Sequence, residues 1–214
     1  MRKLWQATGL ILSLMLATTV AAESAPDAAA TPEQIVRKTT DDIIALLKTN
    51  KDAYAQDTKK LYAMVDEKVL PIFDFERMSQ WILARHWKTA SEDQRQRFTK
   101  EFRDLLVRTY ATALLNYTDQ KVAILPSPGK GGGEVTVKTE IQQSGGAPSV
   151  PIHYAFYDKK PGWKVYDVSI DGVSLVSNYR GTYASKIKQQ GLDGLIASIA
   201  EQNSKAGKGG AKAK

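Results

Sequence analysis

The sequence predicts an α+β fold: helices first, then an antiparallel meander of about four strands, then helices again. Two observations carry this. Apolar residues recur at helical spacing as far as Tyr117, then at a period of two from Val122 to Ile170. Gly- and Pro-rich turn sequences punctuate the second region at hairpin intervals.

The chain opens with Arg2-Lys3, an apolar run from Leu10 to Ala17 and small residues at Val20-Ala21-Ala22. This is the pattern of a secretory signal, with residues 1–22 removed and a soluble exported protein left behind. Glu23 to Thr31 is Ala- and Pro-rich and reads as a linker. A single domain is expected over 32–203, followed by a disordered Lys/Gly/Ala tail over 204–214.

Thr31-Pro32-Glu33-Gln34 has the form of a capping box and starts the first helix, with Ile35, Thr39, Ile43 and Leu46-Leu47 on one side. Asp57 caps a second helix carrying Leu61, Val65 and Val69, ended by Pro71. Asp74 caps a third with Phe75, Met78, Trp81 and Ile82 on one side, and Arg85, His86 and Lys88 suit its C-terminal end. Ser91 and Gln94 form another capping box and open the longest helix, about Glu92 to Tyr117. Its apolar stripe runs through Phe98, Phe102, Leu105-Leu106, Tyr110 and Leu114.

Four strands follow: Val122–Leu125, Glu134–Ile141, about Val150–Phe156 and Trp163–Ile170. The connection Pro128-Gly129-Lys130-Gly131-Gly132-Gly133 reads as a hairpin loop. It lacks the Lys-Ser/Thr pair and the following helix of a phosphate cradle. Asp171-Gly172 is a turn or a helix cap. Two last helices, about Val173–Gln189 and Asp193–Asn203, are separated by Gly191.

Composition excludes several functions. There are no cysteines, hence no disulfides, no thiolate chemistry and no acylation cysteine. The formal charge falls from +7 to about +1 once Arg2, Lys3 and the tail's Lys205, Lys208, Lys212 and Lys214 are set aside. A near-neutral body argues against nucleic acid as partner. His86 and His153 are far apart and in no metal-ligand spacing. Asp167 is the one carboxylate placed by period two on the apolar strand face of Trp163 and Val165. It is either an acid or base of raised pKa or a structural group that caps backbone or pairs with Arg.

VLPIFDFERMSQ, HWKTASEDQRQRFTKEFRDLLVRTYATALLNY, WKVYDVSIDGVSLVSNYRGTY and GLDGL, in this order and spacing, resemble the MlaC family of periplasmic phospholipid-binding proteins. The likeness spans about Leu61 to Leu195; Ala84 departs from it where Gly is expected. The resemblance implies an NTF2-like fold, a curved sheet and several helices enclosing a deep apolar cavity. It implies a carrier of phospholipid between an outer-membrane lipoprotein–porin complex and an inner-membrane ABC transporter with a substrate-binding ring subunit, which maintains outer-membrane lipid asymmetry. Beyond this cargo it implies no cofactor, no metal and no enzymatic activity. Roughly thirty acyl methylenes cost on the order of 20 kcal/mol in water, so such a cargo needs a large dry pocket.

Expected pocket residues on the helical side are Met78, Ile82, Phe98, Phe102, Leu106 and Tyr110. From the sheet and the strand-to-helix joint come Val137, Ile152, Tyr154, Val165, Val168, Ile170, Val173, Leu175 and Tyr179. Two other readings remain open on the residues alone: an isomerase or dehydratase on the same scaffold, using Asp167, and an adaptor with a solid core.

Overall fold

A computed structural model describes residues 30–127 and 133–209. The signal-like segment, residues 23–29 of the linker, loop positions 128–132 and tail positions 210–214 lie outside them.

Helix α1 (Pro32–Gln56) starts at the expected capping box, Gln34 N–H to Thr31 Oγ1 at 3.3 Å and Thr31 N–H to Gln34 Oε1 at 2.8 Å. Asp57 caps α2 (Thr58–Lys68) by accepting from Lys59 N–H. Helix α3 (Phe75–Leu83) is capped by Asp74, and a short α4 (Arg85–Thr89) follows. Ser91 and Gln94 close the second capping box at α5 (Glu92–Tyr110). The predicted long helix thus ends early: beyond Tyr110 the chain tightens into a 3-10 segment, Ala111–Asn116.

The sheet has five strands rather than four: β1 (Lys121–Leu125), β2 (Glu134–Gln142), β3 (Val150–Lys159), β4 (Gly162–Ile170) and β5 (Val173–Ser174), paired antiparallel in chain order. The fifth strand arises because Asp171 (φ 50°) and Gly172 (φ 79°) make a two-residue hairpin turn, so Val173 pairs with Ile170 before the last helix begins. Helix α6 runs from Leu175 to Gly209, with its backbone broken at Gly191 (φ 73°, ψ 175°), where the sequence placed the separation.

Register assigns the covered face. Val137, Tyr154 and Val168 lie side by side, as do Val135, Phe156 and Val165, and Thr139, Ile152 and Ile170. Val165 and Val168 share a face although three apart, because a bulge inserts Tyr166 opposite the Ala155–Phe156 step. The bulge corrects one expectation: Asp167 pairs with Ala155 on the other face, away from Val165.

Two apolar clusters form. The larger packs α3, α5 and α6 on the covered face through Met78, Ile82, Phe98, Phe102, Phe156 and Leu195. The smaller joins α1, α2 and the end of α5 through Leu47, Tyr54, Leu61, Val65 and Ala111.

Asp74 ties the helical layer to the sheet edge. Its N–H donates to Val165 O (2.8 Å), and its carboxylate accepts from Arg77 N–H (2.9 Å), Lys159 Nζ (2.6 Å) and the Tyr157 hydroxyl. Burial pushes this carboxyl up, but the Lys159, Tyr157 and Arg77 hydrogen bonds outweigh it and hold the group below its ordinary value. The Arg77 guanidinium lies 3.8 Å over the Tyr157 ring, beside Glu134.

A depressed carboxyl contributes stability that is present above its unfolded pKa, about 4, and is lost as pH falls through the folded value. Asp74→Asn is therefore expected to melt lower than wild type at pH 7, by about 2 kcal/mol, with the gap closing below pH 4. Thermal melts across pH 3–7 check this; a gap constant with pH contradicts it.

Ala84 joins α3 to α4 at φ 49°, ψ −116°, a conformation that disfavours any Cβ. Ala84→Gly should raise stability by about 1 kcal/mol, since relief of strain exceeds the entropy of the unfolded glycine. A lower midpoint in denaturant would contradict it.

Candidate functional site: an uncharged cavity under helix α1

A cavity of about 350 Å³ lies between the two clusters, where α1 and the 3-10 segment face the far end of the sheet. Helix α1 contributes Thr40, Ile43, Ile44 and Leu47, positions that share a helix face. Ala113, Leu114, Asn116 and Tyr117 form the adjoining wall, and Thr139, Ile141, Val150, Ile152 and Tyr154 come from β2 and β3.

No lining residue is charged. Asn116 and Gln143 are exposed and mark the open side, whereas Leu47 and Thr139 are buried at the closed side. Thr139 donates its hydroxyl to Ile152 O at 2.8 Å. Burial raises the Tyr154 hydroxyl, and its hydrogen bond with Thr139 only partly offsets this, so the phenol stays neutral. Lys51 reaches the same wall from α1 by donating to Tyr117 O. The site has a polar neutral floor, greasy sides and no group poised for proton transfer.

Of the residues expected at a pocket, Ile152 and Tyr154 line this cavity. Met78, Ile82, Phe98, Phe102, Leu106, Val137, Val165, Val168 and Leu175 are buried together in the larger cluster behind it. Ile170 and Tyr179 pack against that cluster half-buried. Tyr110 and Val173 are exposed, at 37% and 55%. Tyr179 stacks edge-on against Phe102 and next to Tyr183; burial, with Tyr110 as hydrogen-bond neighbour, pushes its hydroxyl up to about 12. Sequence reasoning placed Ile43, Leu47, Leu114, Ile141 and Val150 on apolar helix faces or alternating strands but assigned none of them, nor Ile44, to the pocket. Their spacing was visible; that α1 stands off the sheet was not.

Asp167 serves the strand-to-helix joint. Its carboxylate accepts from Ser174 Oγ (2.5 Å) and Val176 N–H (3.1 Å), and Ser174 Oγ accepts from Ser177 N–H (3.0 Å). This chain caps α6, the structural alternative the sequence left open. His86 sits on α4, and His153 is half-buried opposite Lys138. Among the described residues no cluster of three or more His, Cys, Asp or Glu could hold a metal, and no helix is long and apolar enough to cross a membrane.

The family model described as MlaC protein matches residues 37–201. The chain is 26% identical over 200 residues to the intermembrane phospholipid transport system binding protein MlaC of Haemophilus influenzae, covering 92% of this chain and 91% of that protein. It is 28% identical over 167 residues to toluene tolerance protein ttg2D of Pseudomonas putida, covering 78% and 77%. Among solved structures, the phospholipid-binding protein of Ralstonia solanacearum, in complex with a phospholipid, superposes with a TM-score of 0.76 at 32% identity. That match covers 83% of this chain and 99% of that one.

Asp167→Asn should cost about 1 kcal/mol through the weakened cap and leave the cavity intact. Melting curves check the cost; an unchanged midpoint would remove Asp167 from the joint's support.

Proposed function

The chain belongs to the MlaC family, and from that premise we propose that it is a phospholipid carrier whose acyl binding site is the cavity under α1. The observation that carries this is the cavity's chemistry. Some 350 Å³ of space lined mainly by aliphatic and aromatic carbon, without a single charged lining residue, suits hydrocarbon.

Ile152, Tyr154, Ile43, Ile44, Ile141 and Val150 are assigned to acyl contact, and the buried residues behind them form the supporting wall. The exposed amides of Asn116 and Gln143 leave the charged headgroup at the water boundary. A headgroup outside the site gives loose headgroup selectivity.

Burial of each methylene contributes about 0.8 kcal/mol, close to what a bilayer offers. Net direction then rests with the donor and acceptor, and we place the protein in the periplasm, between an outer-membrane lipoprotein–porin complex and an inner-membrane ABC transporter with a ring-shaped substrate-binding subunit. The carrier reading assigns the protein no reaction: Asp167, the carboxylate an enzyme would need, is occupied at the α6 cap.

The test is native mass spectrometry of protein exported in bacteria and purified without detergent. Wild type should carry phospholipid. Ile44→Trp, which fills the cavity from α1, should keep its melting temperature within a few degrees in delipidated form and lose most of the lipid adduct. A wild-type protein free of lipid, and unable to take it up from anionic vesicles, would contradict the proposal.

A further inference from the structure

The lining of the cavity under α1 is uncharged, yet a cation stands beside its wall. Lys51 continues the lining face of α1: it follows Leu47 by four residues, as Leu47 follows Ile43. It is half-buried, and its ammonium donates to the carbonyl oxygen of Tyr117, a residue of the cavity wall. Among the described residues it is the one cation hydrogen-bonded to the lining. Its partner there is neutral, whereas Lys38, Lys100, Lys159 and Lys205 are each held by a carboxylate. An ammonium has three N–H donors and the carbonyl takes one, so Lys51 brings a positive charge and further donors to this wall.

The rim next to Tyr117 is built of amides. Asn116 and Gln143 are exposed and Gln120 is half-buried. Gln120 Oε1 accepts from Thr118 N–H at 2.8 Å, which leaves the N–H donors of that amide for a ligand. Gln143 gives one donor to Pro148 O at 3.1 Å and keeps the other. The neighbouring carboxylate, Asp119, accepts from the Thr118 hydroxyl at 2.9 Å and is not among the lining residues. Amide donors with a cation beside them suit anionic oxygens.

We propose that Lys51 is the headgroup anchor of this site: with acyl chains in the cavity, its ammonium meets an anionic phosphodiester oxygen at the mouth. This rests on the carrier reading above and names the residue that positions the cargo. A fatty-acid carboxylate would meet the same ammonium; the carrier reading selects the phosphodiester. That group is common to phosphatidylglycerol and phosphatidylcholine, so the anchor registers phosphate and leaves the alcohol beyond it in water.

The experiment titrates the delipidated, signal-free protein by calorimetry with dioctanoyl phosphatidylglycerol, dioctanoyl phosphatidylcholine and dioctanoylglycerol, below their micelle concentrations. Lys51→Met should weaken both phospholipids about three- to tenfold and leave dioctanoylglycerol, which has no phosphate, unchanged. Lys51→Arg should keep most of the phospholipid affinity. Lys38→Met, the same charge change at an exposed position of α1, should move none of the three. In the wild type, salt at about 0.5 M should weaken phosphatidylglycerol but not dioctanoylglycerol. An equal loss for all three lipids in Lys51→Met, or no loss for any, would make Lys51 a tether of α1 alone and overturn the anchor, with the carrier reading left standing. So would a Lys51 effect seen with dodecanoate against dodecanol but absent from both phospholipids. If the wild type binds none of these lipids, the carrier reading falls and the anchor with it.

Discussion

The fold depends on keeping a space empty that its own side chains could otherwise fill. Side chains that line such a space lack partner atoms on one side and forfeit the dispersion energy that close packing would give them. Such a void survives only where the surrounding elements are fixed by interactions that collapse would break, and where a ligand of matching chemistry restores the lost contacts.

Those interactions are polar, some of them local caps and some joining distant parts of the chain, and their side chains do not line the cavity. Two capping boxes set the starts of α1 and α5. Asp74 caps α3 and holds its start against the sheet through one hydrogen bond to β4 and two from β3. The Asp167–Ser174–Ser177 chain fixes where α6 leaves the sheet. Lys51 clips α1 to the carbonyl of Tyr117. Between these fixed points the larger cluster packs solidly. The cavity appears at the seam with the smaller cluster, where α1, tethered to the Tyr117 carbonyl by Lys51, leaves space beside β2 and β3.

Much of this was legible in the residues. The caps at Thr31, Asp57, Asp74 and Ser91 were readable because a side-chain oxygen and its target amide lie within three residues of each other. The switch from helix to meander was readable from period alone. What period two cannot register is an inserted residue: the bulge at Tyr166 moved Asp167 off the apolar face and set Val165 beside Val168. The fifth strand was hidden because two residues carry no periodicity. The site was the least visible part. Phe98 buried in a solid cluster and Ile44 beside a void look alike in sequence, since both are apolar residues on the inner face of a helix. Distinguishing them needs the distance between α1 and the sheet, a property of the whole chain.

The central claim, that acyl chains occupy the space under α1, is tested most directly by photocrosslinking. The protein is loaded with a phosphatidylglycerol bearing a diazirine near the end of one acyl chain, irradiated, digested and mapped by mass spectrometry. Crosslinks should concentrate on peptides containing Ile43 to Leu47 and Thr139 to Tyr154. Crosslinks concentrated instead on Val173 to Tyr183 of the strand-to-helix joint, with the α1 peptide unlabelled, would contradict the account.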